Sequence, residues 1–248
     1  MKITIITAVY NRVATVTGSI ESVATQNYPD IEHLIIDGAS TDGTLAAINS
    51  MRRSAMKVVS EPDEGIYDAL NKGLALATGE IIGLVHSDDF LAHDEVVSRV
   101  MAAFSDPAVD AVYGDLDYVS AANPAKVVRR WKAGVFSPGK LRWGWMPPHP
   151  ALFVRRRLWE RHGTFDTRYR IAADYDAILR WFGGDQIRAV YLPEVLVKMR
   201  LGGESNRSLG RILLKSREDY RALRVNRMGG LGALAVKNLS KLSQLIIR

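Results

Sequence analysis

A mixed α/β fold, with a mostly parallel sheet between helices, is what this sequence predicts. Three observations carry that expectation. Between residues 2 and 89, short β-branched or apolar runs alternate with stretches whose apolar residues recur at helical spacing, the pattern of parallel strands joined by right-handed crossovers. The run Ile81-Ile82-Gly83-Leu84-Val85 is unbroken by polar residues, as in a strand covered on both faces. Strand-like runs end in polar groups, Tyr10-Asn11-Arg12, Asp37-Gly38 and Asp88-Asp89, and the ligand crevice of an open α/β sheet lies beyond such carboxyl ends.

Taken in order, residues 2–9 form the first strand, and Val13, Val16, Ile20, Val23 and Ala24 the inner face of a helix. A turn at 27–30 leads to a strand at 31–37, then to Ser40, Thr41 and Asp42, which can cap a helix starting near Thr44. A short strand at 56–60 and a turn at 61–65 precede a helix whose buried stripe is Ile66, Leu70, Leu74 and Ala77, with Gly79 as its stop. The strand at 80–86 follows, then a helix at 93–105 with Val96, Val97, Val100, Met101 and Phe104 inward, broken by Asp106-Pro107. Residues 110–120 and 127–131 read as antiparallel strands. The segment 132–150, dense in Gly, Pro and Trp, reads as a binding loop. Its Trp143 and Trp145 either stack on a ligand or plug the core. A buried strand at 151–154, helices at 155–162 and from 172, and strands at 187–192 and 194–201 complete the body.

The chain has 248 residues, 47% of them hydrophobic, enough for one α/β domain with an appendage. It has no cysteine, which excludes disulfides, zinc-thiolate sites and thiol nucleophiles. No Gly-x-Gly-x-x-Gly follows the first strand, so the dinucleotide fingerprint is absent. The first residues lack the pattern of a signal peptide, and no apolar run is long enough to span a bilayer. Residues 205–248 hold ten Lys/Arg against two acidic residues, a net +8 that leaves the rest at −2. This divides the chain into a body, 1–205, and a basic amphipathic helical tail, 206–248. After Gly229-Gly230, Leu231, Leu234, Ala235, Leu239, Leu242, Leu245 and Ile246 form one helical arc with Lys237, Lys241 and Arg248 on its flank. That pattern suits an anionic membrane face, or packing on the chain's own domain or a partner subunit. No nucleic-acid motif is present, and no nucleic-acid partner is expected.

The doublet Asp88-Asp89 admits two readings. Adjacent carboxylates repel unless a cation or donors stabilise them, and hard oxygen ligands suit Mn²⁺ or Mg²⁺ shared with substrate phosphates. Alternatively they are a solvated pair capping the next helix.

Five motifs stand in order: Ile6-Thr7-Ala8-Val9-Tyr10-Asn11-Arg12; Ile35-Ile36-Asp37-Gly38-Ala39-Ser40-Thr41-Asp42-Gly43-Thr44; Ser60-Glu61-Pro62-Asp63-Glu64-Gly65-Ile66-Tyr67-Asp68-Ala69-Leu70-Asn71-Lys72-Gly73; Ala77-Thr78-Gly79-Glu80-Ile81-Ile82-Gly83; and Ser87-Asp88-Asp89. Together they resemble glycosyltransferase family 2, most of all bacterial members that build O-antigen and other surface polysaccharides. The resemblance implies the GT-A fold, a Rossmann-like nucleotide-binding sheet flanked by helices, here with a C-terminal helical extension. It implies an inverting transfer of a sugar from a nucleotide-sugar donor, a UDP-sugar, to a hydroxyl of a growing lipid-linked glycan, with Mn²⁺ or Mg²⁺. Asp89 would be the metal ligand and Asp88 would meet the ribose or the metal's surroundings. Asp174 would be the catalytic base, with Ala173-Asp174 standing where relatives carry Glu-Asp and Asp176 as the fallback. Thr7, Tyr10, Arg12, Asp37, Tyr67, Asp68 and Asn71 would line the donor site. Gly38 replaces an acidic residue and Leu70 an arginine of many relatives, so phosphate neutralisation falls to Arg12 or Lys72. His149, Asp176 and Ser205 are candidate acceptor or phosphate contacts, Ser205 within the loop 202–205. The expected location is cytoplasmic, peripheral on the inner face of the plasma membrane. A sugar-nucleotide nucleotidyltransferase and a non-catalytic nucleotide-sugar binder are the competing readings.

Overall fold

A computed structural model describes residues 1–184, 187–201 and 209–243. At its centre is β1 (Ile3–Val9), every residue of which is buried. β2 (Ile31–Asp37) and β4 (Ile81–Leu84) lie parallel on either side of it, and β3 (Met56–Ser60) lies parallel beyond β2. The crossovers are α1 (Val16–Ala24), α2 (Thr44–Ser50) and α3 (Ile66–Leu76). Register aligns the strand ends: Val9 pairs with Asp37, and Asp37 with Ser60. The three following loops therefore share one rim.

After β4 the sheet changes direction. β5 (Asp89–Leu91) and α4 (Val96–Ala103) come first, then β6 (Ala111–Val119) with β7 (Val127–Trp131) hairpinned on it, α5 (Pro138–Leu141), β8 (Leu152–Arg155), α6 (Arg156–His162), α7 (Ala173–Gly184) and β9 (Ala189–Arg200). The strand order is β3-β2-β1-β4-β8-β6-β9-β5. β8 runs antiparallel to both β4 and β6, while β9 is parallel to β6 and antiparallel to β5. The sheet curls, so that β5 returns to α1: Ser19 Oγ donates to the His86 carbonyl (3.0 Å) and the Leu91 N–H donates to Ser22 Oγ (3.2 Å).

Period-two alternation divides the core between the faces. Ile3 and Ile5 pack with the α4 residues Val96, Val97 and Val100, whereas Ile6 and Ala8 pack with Leu70 and the α7 aromatics Trp181 and Phe182.

Several elements depart from expectation. The two strands expected at 187–192 and 194–201 are one, β9 (Ala189–Arg200), with its register shifted opposite Gly114. Pro193 lacks an N–H for the ladder, and Leu196 fills the space where Gly114 has no side chain. Gly79 does not cap α3, which ends at Leu76. It allows a close approach instead, since a Cβ there would lie 2.5 Å from the Thr4 backbone nitrogen. Ile66 and Val13 are exposed, and the buried stripe of α3 is Ala69, Leu70 and Gly73. The two tryptophans divide. Trp145 packs edge-on against Tyr113 and Phe182 and donates to the Ala133 carbonyl (2.8 Å), while Trp143 is 64% exposed.

The C-terminal helices α8 (Leu209–Val225) and α9 (Leu231–Ser243) fold back on the body. Ala222 and Leu223 of α8 are fully buried in the same core as α7. On α9 the inward face is Ala233 and Lys237, and Leu231 and Leu239 point outward. The helical wheel places Lys237 on a solvated flank. The structure buries it, because its ammonium pairs with Asp219 (2.9 Å) and lies 3.0 Å from the centroid of the Tyr175 ring. Leu245, Ile246 and Arg248, like the loop 202–205, lie outside the described residues.

Candidate active site

The first rim of the site is the aligned ends of β1, β2 and β3. Their loops are stitched together: Asn11 N–H donates to Ser40 Oγ (2.8 Å), Arg12 N–H to Thr44 Oγ1 (2.7 Å), and Thr41 N–H to Asn11 Oδ1 (2.9 Å). Asn11 and Ala39 sit at positive φ, 51° and 59°, a conformation such bonds must hold in place. Tyr10 projects from this rim with 57% of its surface exposed, leaving a ring face free for stacking. Asp37 is fully buried, taking bonds from the Ser40 N–H and from Ser60 Oγ (2.6 Å). Thr7 is also fully buried and bonds His33 Nε2 (3.0 Å) inside the sheet. That places it within the core, away from the donor surface expected of it. Gly38 lies against Tyr10 and Asp63, and a side chain there would collide with the Asp63 carboxylate. The Asp63 carboxylate thus occupies the space beside Gly38. In the sequence Asp63 stands in the turn 61–65 and within the third family motif, with no role of its own.

α3 forms the second wall. The Tyr67 hydroxyl donates to the Ile171 carbonyl (2.7 Å) and contacts Asp174 Oδ1 (3.2 Å). Burial, and then the charge of Asp174, push its pKa well above the phenolic value, so it remains a donor. Asn71 brackets the backbone of Phe165 with both amide atoms (2.9 and 3.0 Å). Asp68 accepts from the Glu64 N–H and pairs with Lys72. Asn71 and Asp68 therefore hold the wall together through these bonds.

At the end of β4, the polar groups run in a line from His86 to Asp174. The rings of His86 and His149 meet edge-on at 5.6 Å, and His149 Nδ1 lies 2.8 Å from Asp174 Oδ2. Burial, with His149 next to it, brings His86 down to about 4, against the pull of Asp88 and Asp174. Burial would raise Asp174, but His149, Lys215 and Lys237 outweigh it and hold this carboxyl well below the usual range. Asp176 does not share this position. Two residues on, it faces the other side of α7, buried and bound by Arg180 Nε (2.9 Å) and Asn226 Nδ2 (2.8 Å). Its expected role as fallback or acceptor contact gives way to a structural one. Ser205 lies outside the described residues.

Asp89 is 1% exposed, and the Arg200 backbone N–H approaches its carboxylate without closing a well-formed hydrogen bond. Burial, then Asp88, raise it; Arg200 opposes this. Arg200 itself donates to the Asp88 carbonyl (2.7 Å) and lies over the Phe90 ring. A buried carboxylate with no well-formed hydrogen bond, beside a second one, fits a hard divalent cation. Mg²⁺-type ions take one or two carboxylates and complete their shell with water and substrate phosphate. Among the described residues no cluster of three or more His, Asp or Glu could hold a metal by itself, so the phosphates would be part of the site.

The remaining contributors come from the C-terminal helices. Glu218 accepts the N–H groups of Arg170, Ile171 and Ala172 (3.0, 2.9 and 3.0 Å), immediately before Asp174. Asp219 pairs with both Lys215 and Lys237. In the sequence these residues belong to the basic stretch 206–248, and nothing in their spacing ties them to the site.

A curled, helix-flanked sheet with an acidic doublet at one strand end and a further acid on α7 is the arrangement of a GT-A glycosyltransferase. The sequence matches the Glycosyl transferase family 2 model over residues 4–175, and the chain belongs to that family. It is similar to the "PGL/p-HBAD biosynthesis glycosyltransferase" of Mycobacterium bovis (strain BCG / Pasteur 1173P2), 32% identical over 216 residues, covering 85% of this chain and 82% of the relative. Chondroitin synthase of Pasteurella multocida (strain Pm70) is 28% identical over 69% of this chain, which spans 18% of that enzyme. Among solved structures, S. aureus TarS 1-349 in complex with UDP-GlcNAc has a TM-score of 0.71 at 20% identity, covering 91% of this chain and 65% of that one; of the longer TarS chain, this protein spans 39%. The mannosyltransferase PcManGT from Pyrobaculum calidifontis, in complex with GDP-Man and Mn²⁺, has a TM-score of 0.68 at 20% identity over 100% of this chain and 76% of its own. At these identities the structures show the shared fold. The protein is a glycosyltransferase.

Proposed function

We propose that this glycosyltransferase moves a sugar from a UDP-sugar to a hydroxyl of a growing lipid-linked glycan, with inversion at the anomeric carbon. The observation that carries this reading is the His149–Asp174 pair, whose imidazole meets the ring of His86 edge-on in the connection from β4 to the doublet Asp88-Asp89 at the start of β5. The acceptor hydroxyl gives its proton to Asp174 as its oxygen bonds the anomeric carbon. The bond from that carbon to the diphosphate breaks on the opposite face, and the configuration inverts. His149 and Tyr67 fix the carboxylate by bonding one oxygen each. Asp89 and Asp88 would hold Mn²⁺ or Mg²⁺, whose chemistry is to neutralise charge on the leaving diphosphate. Tyr10 stacks on the base, with Asp37, Gly38 and Asp63 beside it, and Arg12 faces the phosphates. The named relatives support a nucleotide-sugar donor, since TarS is solved with UDP-GlcNAc and PcManGT with GDP-Man and Mn²⁺. The loop at Tyr10-Asn11-Arg12 is stitched to Ser40 and Thr44 and lacks the Gly-rich basic character that a nucleotidyltransferase needs for a triphosphate.

The outward face of α9 supports peripheral attachment to an anionic inner leaflet. Leu231, Ala235 and Leu239 follow one another at one-turn spacing and are exposed, opposite the buried Lys237. No helix among the described residues is long and apolar enough to cross a membrane. The function is tested by measuring sugar release and transfer from UDP-sugars with Mn²⁺, for the wild type and for Asp174→Asn. Equal rates in the two would remove Asp174 from the mechanism.

A further inference from the structure

We propose that Glu218, on the C-terminal helix α8, is a positioning residue for Asp174, so that the active site is incomplete without the segment that follows the family-matched region. The matched region ends at residue 175, and Glu218 lies well beyond it. The inference rests on Asp174 being the proton acceptor.

The geometry is specific. The chain enters α7 through residues 170–172, and Asp174 lies in the first turn of that helix. Three consecutive N–H groups in this entry segment converge on the carboxylate of Glu218. Oε1 takes Arg170, and Oε2 takes Ile171 and Ala172. Successive N–H groups of this kind form an anion-binding concavity, here filled by the chain's own carboxylate, which is 7% exposed. On the other side, the Ile171 carbonyl is held by the Tyr67 hydroxyl, which also contacts Asp174. The segment is therefore gripped from both sides, by α8 and by α3. Charge-assisted bonds to backbone N–H groups are roughly twice as strong as neutral ones, and at the buried Ala172 no water can replace a lost partner.

α8 is itself anchored. Asp219, the next residue, pairs with Lys215 (3.0 Å) and with Lys237 of α9 (2.9 Å), and Lys237 covers the ring of Tyr175 beside Asp174. A displacement of α8 would reach the acid through the backbone. A misplacement of about 1 Å in a catalytic group can cost on the order of 10²-fold in rate.

Glu218 stands apart from the donor rim of Tyr10, Asp37 and Asp63, so the test separates positioning from general damage. Glu218→Ala and Glu218→Gln are compared with the wild type in kcat, in donor KM and in affinity for UDP with Mn²⁺. A glutamine keeps one acceptor oxygen for Ile171 and Ala172 but turns an N–H₂ toward Arg170. The expected order of kcat is Glu, then Gln, then Ala, with alanine down roughly 10- to 100-fold. UDP affinity and donor KM should stay within about twofold, since binding shared equally by ground and transition states is untouched. The proposal is overturned if alanine retains wild-type kcat. It is equally overturned if UDP binding falls in step with kcat in the glutamine variant, which would mark Glu218 as a general fold contact. Asp174→Asn run alongside distinguishes the two failures. An inactive Asp174→Asn with an unaffected Glu218→Ala sinks this inference alone, whereas a fully active Asp174→Asn sinks the reading beneath it.

Discussion

His149 Nδ1 lies 2.8 Å from the carboxylate of Asp174, and this contact opposes the burial that would otherwise protonate the acid. Removing His149 leaves burial less opposed, so the pKa of Asp174 rises from its depressed position, with Lys215 and Lys237 still lowering it. In His149→Ala the acid limb of the pH profile of kcat/KM should therefore move to higher pH. An unmoved limb would show that His149 does not set the ionisation of Asp174. Asp174→Asn should lower kcat by roughly 10²–10⁴-fold, the usual worth of general-base catalysis.

The Lys237–Asp219 pair is a buried ion pair, with side chains 4% and 1% exposed. Removing one partner strands the other's charge, at a cost of about 3–5 kcal/mol. Lys215 remains beside Asp219, so Lys237→Met should fall near the lower end, about 3 kcal/mol by urea unfolding. Adding Asp219→Asn should restore part of the loss. A double variant less stable than Lys237→Met would contradict this account.

His33 is buried against Thr7, and burial lowers it from 6.5 to about 4. Below pH 6.5 the unfolded chain takes up a proton that the folded chain refuses. Stability contributed by this group is thus lost as pH falls from about 6.5 to about 4, by a total of about 3 kcal/mol. Asp174 is held below the ordinary carboxylate range, so the stability it contributes is lost at lower pH, mostly outside that window. His86, brought down to about 4 in the same way, adds a similar slope; unfolding midpoints measured between pH 7 and 4.5 should show both, and His33→Gln should remove about half of the slope.

Gly79 passes so close to Thr4 that an added methyl meets backbone, with no flexible side chain to yield. Gly79→Ala should cost about 1–3 kcal/mol with unchanged kcat in the folded fraction. A thermal melt within 1 °C of wild type would refute this.

Leu231 and Leu239 touch solvent on the far side of α9 from its packed face. Leu231→Ser/Leu239→Ser should reduce sedimentation with anionic vesicles several-fold while leaving the melting temperature and UDP binding intact. Unchanged sedimentation would remove this face from any membrane contact.

The fold was most legible where local chemistry and burial agree. β1 to β4 follow from β-branched runs between turn residues, and the α4 face from Val96, Val97, Val100, Met101 and Phe104, all buried as spaced. Reading failed where a tertiary partner overrides the pattern. Pro193 divides β9 in the sequence, yet pairing with β6 carries the strand across the break. β5 is three residues long and begins with a carboxylate, which no strand propensity favours. Lys237 looks solvated on a wheel and is buried because Asp219 and Tyr175 await it.

The sequence by itself determined the alternating α/β frame and the family motifs, and offered Asp88, Asp89 and Asp174 as candidates, because strand periodicity and motif order are local properties of the chain. Only the tertiary structure decided that Asp63 takes the space beside Gly38, that His149 meets Asp174, and that Glu218 grips the entry to α7. Those pairings join residues far apart in the chain. They are fixed by sheet curl and helix packing, which no window of sequence contains.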